Sequence, residues 1–499
     1  MPVDTPAWAR DAVFYQVFPD RFAASEGVPK PGPLEPWDAP PTDTGFKGGD
    51  LIGIVEHLPY LEDLGVDALY LNPVFSSASN HRYHTYDYFA VDPLLGGDDA
   101  LRELLDAAHG RGMRVILDGV FNHTGRGFWP FHHVLETGAS SPYRGWFHFD
   151  QGALDAGRPI LAYPPFGTPA HEIGYAAWWG IPALPQLNAA DPAVREYLMT
   201  VAEHWLRFGI DGWRLDVPDE IREPGFWQEF RSRCRAIRPD AYLVGEIWRV
   251  APEWLGGDRF DALMDYPLAE AILGFAGGAH LDLGVIGAHR EYGANVRAID
   301  GPAFAARLGE LLAAYDPDVV AVQLNLLGSH DTPRMRSILG GDPDAVRLAT
   351  LLQLTLPGAP CLYYGDEVGL TGGNDPGCRG AFPWDESRWD GAFRAFVREL
   401  VHLRRSRPAL HAGGTTIVAA AGGAVAVERR LDDARLVIAV NASDEPARLD
   451  FRLDGVGEGA RLEHVAPGPA TGTDRWSAEP DGVSAIALGP RSGSVLRLA

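Results

Sequence analysis

The chain has 499 residues, and its apolar fraction of 46 %, which includes 14 Trp, 16 Tyr and 22 Phe, can build a sizeable core and excludes wholesale disorder. It carries 67 acidic against 43 basic side chains, a formal net charge of -24, and such a surface repels phosphate backbones and anionic membranes. We therefore expect no nucleic-acid partner and no membrane association, and the longest apolar stretches, about a dozen residues, are too short to span a bilayer.

The first residues of the chain and its cysteines indicate in which cellular compartment the protein is expected. Residues 1–5 show no basic start followed by an apolar run, so no secretory signal is expected. Cys234, Cys361 and Cys378 are too scattered for a disulfide framework or a zinc site. A reducing cytoplasm fits this pattern best, although the mature form of a secreted protein would look similar.

Helix-then-strand units recur along the chain. A helical stretch ends at Gly65, Gly112 and Gly209, and each glycine is followed by a short apolar run that favours a strand. Such units imply a parallel sheet with crossover helices. The other strand candidates are residues 13–18, 242–245, 263–266, 320–324 and 361–364. Eight strands predict an α/β fold of the (β/α)8 TIM barrel type. An open doubly wound sheet remains possible, although no glycine-rich phosphate loop follows the first strand.

Two further segments interrupt or follow this pattern. Residues 126–188 hold eight prolines and four tryptophans with little helical periodicity, so we expect a small irregular domain over the barrel mouth, inserted after the third strand. Strand-like runs separated by Asp- and Gly-rich turns follow Pro408 and predict a C-terminal antiparallel β-sandwich. The expected domains are the barrel at 1–125 and 189–408, the insert at 126–188, and the sandwich at 409–499.

The positions just past the predicted strands carry polar side chains, and catalytic groups of barrels cluster there. Arg214 and Asp216 lie two apart on one strand and share a face, so the guanidinium should keep Asp216 ionised and oriented as a nucleophile. Glu246, on the next strand, should stay protonated beside that anion and serve as a general acid. Two such carboxyls are the minimum equipment of glycoside hydrolysis, and Asp331 adds a third acid that could favour a cationic transition state.

Each of these residues also has a plain structural interpretation when taken alone. Asp118 could cap a helix, Glu246 could be a solvated loop acid, and His123 could be a satisfied core histidine. Their joint occurrence at successive strand ends favours an active site.

Four segments, in this order, resemble the signature regions of the alpha-amylase family: 118–123 (DGVFNH), 212–216 (GWRLD), 245–248 (GEIW) and 329–331 (SHD). Two more, 184–188 (LPQLN) and 364–367 (YGDE), resemble a fifth region and the segment after the last strand. Within the family, the chain is most similar to the neopullulanase, cyclomaltodextrinase and maltogenic amylase group, on residues 17–22 (VFPDRF), 48–51 (GGDL) and 375–379 (DPGCR).

This resemblance implies a retaining double displacement on α-1,4-glucosidic bonds of maltooligosaccharides, cyclodextrins or pullulan, with some transglycosylation. It makes Asp216 the nucleophile, Glu246 the acid and then the base, and Asp331 the transition-state stabiliser. The implied substrate-binding residues are Tyr83, Asp118, His123, Arg214, Glu220, Trp248, His330, Asp375 and Arg379. Tyr83 is implied to stack on the cleaved sugar, and Trp248 to form a platform on the acceptor side.

Several positions depart from the pattern of the group. Where relatives have an Asn- and Asp-rich calcium loop, residues 23–30 read AASEGVPK, which removes the oxygen ligands that calcium needs. Asp50 remains but cannot hold the ion alone, and Asn122 matches a calcium ligand of typical alpha-amylases at a site that this group often lacks. We therefore expect no metal and no cofactor; calcium is possible at these positions but not expected. The barrel begins near Met1, whereas relatives often carry an extra N-terminal β-domain that helps them dimerise, so we expect a monomer with a more open site.

Three alternatives remain. The first is an α-glucosidase or a glucosyl isomerase of the trehalose synthase kind, and the way in which residues 126–188 close the pocket decides between these activities and the leading one. In that insert, Tyr175, Trp178 and Trp179 are the first candidates to stack on a second segment of the substrate chain, or else they form the core of the insert. A non-catalytic carbohydrate-binding homologue should have lost Asp216 or Glu246. A metal-dependent hydrolase would use Asp118, His123, His330 and Asp331, but no metal-ligand spacing supports it.

Overall fold

A closed barrel of eight parallel strands forms the centre of the protein. The computed structural model describes residues 3–456, 461–465, 476–477 and 483–498. The barrel strands are β1 Phe14–Val17, β2 Ala68–Leu71, β3 Arg114–Gly119, β4 Gly212–Leu215, β5 Tyr242–Gly245, β6 Ala262–Leu263, β7 Leu324–Asn325 and β8 Ala359–Tyr363. They pair in the order β6-β5-β4-β3-β2-β1-β8-β7, and a parallel bridge between Met264 and Leu324 closes the ring. The predicted (β/α)8 fold is confirmed, and the open doubly wound sheet is excluded.

Two predicted strands differ from those observed. Residues 263–266 were expected to be extended, but Tyr266 begins a helix, because Asp265 accepts a hydrogen bond from the backbone N–H of Leu268 and Pro267 suits the first helical turn. Residues 320–324 were also expected to be extended, but the helix Pro317–Val320 claims the start of this run and β7 begins only at Leu324.

Helices surround the barrel. Their bounds are Ala7–Asp11, Pro19–Phe22, Leu51–Glu56, Leu58–Leu64, Gly97–His109, Pro192–Phe208, Phe226–Ile237, Tyr266–Gly277, Leu283–Gly287, Arg290–Asn295, Gly301–Ala313, Pro317–Val320, Met335–Ile338, Pro343–Thr355, Gly391–Ser406 and Pro408–His411. The connection from β5 to β6, residues 246–261, is described throughout and holds a single 3-10 turn, Pro252–Trp254, rather than an α-helix. None of the helices in the described ranges has the length and apolar character needed to cross a bilayer.

A short antiparallel hairpin, which the sequence did not indicate, follows β2. Its strands are Phe75–Ser77 and Thr85–Val91, and Tyr83 lies in the turn between them. The hairpin therefore carries an aromatic side chain to the carboxyl end of the barrel.

The insert after β3 is less irregular than predicted. It contains the helix Trp129–Thr137, whose Pro130, Phe131 and Val134 are buried, and the short helix Gln151–Asp155. Isolated bridges tie His123 to Gln186 and Phe147 to Leu187, so both ends of the insert are anchored at the barrel mouth. Proline at the first turn of Trp129–Thr137 marks a helix start, a signal that its low periodicity concealed.

The C-terminal region is a sandwich of two antiparallel sheets, as predicted. The helix Pro408–His411 spans the expected boundary, and the strands begin at Gly414. One sheet has the order β9-β10-β11-β16-β13-β14 and the other pairs β12 with β15. The strands are β9 Gly414–Ala421, β10 Ala424–Leu431, β11 Ala434–Asn441, β12 Ala447–Arg452, β13 Arg461–His464, β14 Trp476–Ser477, β15 Val483–Leu488 and β16 Ser492–Leu498.

Candidate active site

Four acidic side chains converge at the carboxyl ends of the barrel strands. Asp118 belongs to β3 and is in register with Arg214 of β4, Asp216 follows β4 directly, and Glu246 follows β5 directly. Asp331 lies in the loop after β7. Asp118, Arg214, Asp216 and Glu246 are buried, with at most 6 % of each residue exposed. Parallel strands end at one rim, and this topology brings the four acids together.

Arg214 is the hub of this cluster. One terminal nitrogen, Nη1, donates to Asp118 Oδ1 at 2.7 Å and to Asp216 Oδ1 at 3.1 Å. The other, Nη2, lies 2.8 Å from Glu246 Oε2. Arg214 was expected beside Asp216, and the guanidinium contacts Asp118 and Glu246 as well. One guanidinium thus contacts both Asp216 and Glu246 and holds the two carboxyl groups at one site.

The hydrogen bonds of the acids differ. Glu246 Oε1 accepts from Trp248 Nε1 at 3.1 Å, and Oε2 accepts from the backbone N–H of Val217 at 3.2 Å. Asp216 Oδ2 is buried and has no hydrogen-bond partner among the described residues. Asp216 thus keeps one oxygen free for a ligand, while both oxygens of Glu246 are held.

Burial shifts the titration of the whole cluster. It raises the pKa of Asp216 well above its usual range, Arg214 opposes the shift, and the charge of Glu246 adds to it. Burial likewise raises the pKa of Glu246 against the effect of Arg214. For Asp331, burial and the charge of Glu246 raise the pKa to about 7. The pKa values of Asp216 and Glu246 thus shift in the same direction, and the expected contrast between an ionised Asp216 and a protonated Glu246 is not seen.

A chain of hydrogen bonds fixes His330 and Tyr83. Gln16 Nε2 donates to His330 Nδ1 at 2.9 Å, which leaves the proton of the neutral ring on Nε2. His330 Nε2 lies 2.6 Å from the Tyr83 hydroxyl, which donates to Asp118 Oδ2 at 2.7 Å. Burial and then the charge of Arg379 lower the pKa of His330 well below its usual value, so the ring is neutral. The rings of Tyr83 and His330 are stacked, with centroids 5.3 Å apart.

Arg379 links Asp375 to the carboxyl cluster. Its Nη1 lies 2.8 Å from Asp375 Oδ1, its Nη2 lies 3.3 Å from Asp331 Oδ1, and its Nε donates to the backbone carbonyl of His330 at 2.8 Å. The guanidinium is buried, whereas nearly half of the Asp375 side chain is exposed. Asp375 is therefore the part of this pair that a ligand can reach.

The remaining predicted site residues differ in their surroundings and in whether they reach the carboxyl cluster. Trp248 stacks on Tyr266, with centroids 3.5 Å apart, and lies nearly parallel to His289 at 5.7 Å, while part of the residue stays exposed. His123 is buried beside Trp178, and burial lowers its pKa to about 3. Glu220, in the turn after Asp216, contacts only Arg222, at 4.0 Å, in the ion pairs of the described residues. The structure does not bring Glu220 into the cluster.

Sequence reasoning missed several residues of the site. Gln16 of β1 and Tyr70 of β2 lie inside the barrel, and the Tyr70 hydroxyl donates to Asp118 Oδ2 at 2.9 Å. Val217 adopts a left-handed conformation with φ 34°, which is strained for a β-branched residue, and this turns its N–H toward Glu246. A glutamine within a short apolar strand was the available signal for Gln16, but no signal in the sequence indicates the backbone of Val217.

The positions where calcium remained possible do not fit a calcium ion. Lys30 Nζ lies 3.0 Å from Asp50 Oδ2 and donates to the carbonyl of Leu94 at 2.7 Å. Asp50 also accepts hydrogen bonds from Ser25 and from the backbone N–H of Gly53, so both of its oxygens are engaged. Asn122 Oδ1 accepts from Gln186 Nε2 at 3.1 Å. An ammonium group and protein donors thus occupy the oxygens that a cation would need.

Comparisons with known proteins agree with this geometry. The family model for the alpha amylase catalytic domain matches residues 16–403. A cyclomaltodextrinase of Geobacillus thermopakistaniensis is 42 % identical over 91 % of this chain and 72 % of its own length. Neopullulanase 2 of Thermoactinomyces vulgaris is 41 % identical over 82 % of this chain and 65 % of its own length. The native form of the Nostoc punctiforme debranching enzyme superposes with a TM-score of 0.89 at 44 % identity, covering 99 % of this chain and all of that one. The chain therefore belongs to the alpha-amylase family of glycosidases.

Proposed function

We propose that the protein is a retaining glycoside hydrolase that cleaves α-1,4-glucosidic bonds in maltooligosaccharides, cyclodextrins or pullulan. The observation that carries this proposal is the pair of buried acids on one guanidinium, in which Asp216 has a free oxygen and Glu246 is held by Trp248 and Val217. The names of the cyclomaltodextrinase and neopullulanase relatives support the choice of substrate class.

In the first step, Asp216 Oδ2 forms a bond to the anomeric carbon while Glu246 transfers its proton to the departing glycosidic oxygen. The reaction needs Asp216 as the anion, so a proton of the coupled cluster must reside on Glu246 when substrate is bound. After the transfer, the N–H groups of Trp248 and Val217 and the guanidinium of Arg214 stabilise the carboxylate left on Glu246.

In the second step, Glu246 takes a proton from a water molecule, whose oxygen bonds to the anomeric carbon and releases Asp216. A sugar hydroxyl can replace the water, and transglycosylation then results. Asp331 in its ionised form favours the cationic transition state, and neutral His330 is a proposed binding residue whose Nε2–H holds the Tyr83 hydroxyl. Tyr83, Asp118, His123, Asp375 and Arg379 complete the proposed binding residues, with Trp248 on the side of the leaving group.

Incubation of the purified protein with β-cyclodextrin, pullulan and maltotriose, each analysed by chromatography, tests this proposal. We expect α-configured maltose and glucose, seen by NMR before mutarotation, and panose from pullulan. Maltotriose from pullulan would instead show α-1,6 cleavage. The variants Asp216→Asn and Glu246→Gln should lose about a thousandfold in kcat, whereas Glu253→Gln, an exposed acid after the same strand, should keep the wild-type rate. Near-full turnover by either catalytic variant would refute the roles.

Three further expectations belong to the same proposal. We infer that activity does not require calcium, because Lys30 engages Asp50. We also expect a monomer, measured by light scattering, and a cytoplasmic location, which a relative named intracellular maltogenic amylase supports.

A further inference from the structure

A stack of aromatic rings leads from the catalytic cluster into the insert. His123 lies 5.2 Å from Trp178, and Trp178 lies 4.6 Å from Trp179, with the planes inclined by 18° and 13°. Tyr175, the third aromatic residue considered for this role, packs on Phe131 instead and belongs to the core of the insert. The stack therefore consists of His123, Trp178 and Trp179.

The outer end of the stack is open. Trp179 is 68 % exposed, although it is a large apolar side chain. It also adopts a left-handed conformation with φ 50°, which is strained for a bulky residue, and strained residues cluster at functional sites. In addition, Trp178 Nε1 is buried and has no hydrogen-bond partner within the described parts of the chain. Strain, exposure and an unpaired nitrogen atom in one stack point to a ligand-binding role.

A second line of contacts shows on which side of the site this ligand binds. Trp248, which donates to Glu246, lies parallel to His289, and the next residue, Arg290, places its guanidinium carbon 5.9 Å from the centre of the Trp179 ring. The Arg290 side chain is 79 % exposed, so most of its donors are free for a ligand. Glu246 is the proposed acid, and it faces the leaving group. Trp179 and Arg290 therefore lie beyond Trp248 on the leaving-group side.

We propose that Trp179 and Arg290 bind the second glucosyl unit on the leaving-group side of the cleaved bond. The indole supplies an apolar face for the sugar ring, and the guanidinium supplies hydrogen-bond donors to its hydroxyl groups. This inference rests on the proposed glycosidase activity and names a residue pair that selects longer acceptors. On this assignment, a first acceptor unit lies beside Glu246 and Trp248, and only the second unit contacts Trp179.

Acceptor competition tests this inference. With maltotriose as donor, we expect Trp179→Ala to lower transfer to maltose about three- to tenfold relative to transfer to glucose, because only maltose reaches the second unit. Trp179→Phe should retain most of the ratio, and Arg290→Ala should lower it in the same direction. Trp129→Ala removes another half-exposed tryptophan of the insert and should leave the ratio unchanged.

The design separates this inference from the proposed function. A wild-type protein that cleaves neither maltotriose nor β-cyclodextrin would overturn the glycosidase proposal itself. An active wild type, together with a Trp179→Ala variant whose maltose-to-glucose ratio stays within twofold, would overturn the assignment of Trp179 alone. Equal losses with both acceptors and in maltotriose hydrolysis would show a structural role and would likewise overturn it. If transfer is slow, the split of maltotetraose into two maltose molecules, compared with maltotriose cleavage, measures the same step.

Discussion

Replacing Lys30 by methionine should destabilise the protein without touching the active site. The change keeps most of the aliphatic stem but removes the ammonium group from Asp50 and from the carbonyl of Leu94. Breaking a buried ion pair costs about 3–5 kcal/mol, yet Asp50 keeps its hydrogen bonds from Ser25 and Gly53, so we expect a loss of about 2–3 kcal/mol.

This loss converts into a measurable change in Tm. An unfolding entropy of about 2.1 cal/mol/K per residue gives about 1 kcal/mol/K for 499 residues that unfold cooperatively, so Tm should fall by about 2–3 °C. The assay is differential scanning calorimetry with EDTA or with added calcium chloride. Arg448→Met breaks an exposed pair with Asp450 and should change Tm by less than about 1 °C.

Two results would refute this reasoning. A fall of several degrees in the wild-type Tm on adding EDTA would mean that a divalent cation, and not Lys30, stabilises the loop. An unchanged Tm in Lys30→Met would mean that the ammonium contributes nothing to Asp50. The expected pattern is an EDTA-insensitive wild type and a destabilised variant.

Three further predictions concern the active site. Gln16→Leu should lower kcat/KM about tenfold. Gln16→Glu should lower kcat/KM further, because a carboxylate at this position would draw the proton of His330 to Nδ1. Equal activity in both variants would refute the tautomer assignment. Trp248→Phe removes a hydrogen bond that lowers the pKa of Glu246, so the alkaline limb of the kcat profile should move up by about half a pH unit, and a downward move would contradict this. Because the pKa of Asp331 is raised to about 7, folded protein binds more protons than unfolded protein between about pH 4 and 7, and stability falls as pH rises. Asp331→Asn should therefore raise Tm by about 1–2 °C at pH 8 and by less at pH 4, as calorimetry at the two pH values can show.

The sequence indicated the barrel because its signals were local. Leu101, Leu104, Leu105 and Ala108 follow the i, i+3, i+4, i+7 spacing of one helix face, and all four are buried in Gly97–His109. The apolar run around 320–324 was ambiguous, because a short buried strand and a buried helix have the same composition. The capping signals of Asp316-Pro317 and Asp265-Tyr266-Pro267 mark the starts of helices, and they would have corrected the bounds of both wrongly predicted strands.

For the site, the strand ends indicated which acids meet but not how they share charge. The expectation for Asp216 and Glu246 considered only the contact of Arg214 with Asp216, and the number of carboxyls around a guanidinium depends on three-dimensional packing. The same holds for Tyr83, whose place depends on the hairpin Phe75–Ser77 and Thr85–Val91. Residue type and strand position were readable, whereas contacts between distant segments were not.

The carboxylates at the two ends of the barrel differ in how fully their charges and hydrogen bonds are satisfied. At the amino ends, Asp67, Asp211 and Asp261 precede β2, β4 and β6, and each accepts a backbone N–H from the neighbouring strand, of Val13, Val115 and Leu243 respectively.

These aspartates also meet cations. Asp211 pairs with Arg114 and Asp261 with Arg231, both at 2.7–2.8 Å. At the carboxyl ends, by contrast, one arginine serves three acids, Asp216 Oδ2 is unpaired among the described residues, and Val217 is strained. At the amino ends, ion pairs with satisfied hydrogen bonds hold alternate strands in place. The stability of that end lets the barrel keep the strained backbone and the crowded carboxyl groups at the opposite rim. The unfavourable charge at Asp216 and Glu246 is then available to be relieved by a substrate.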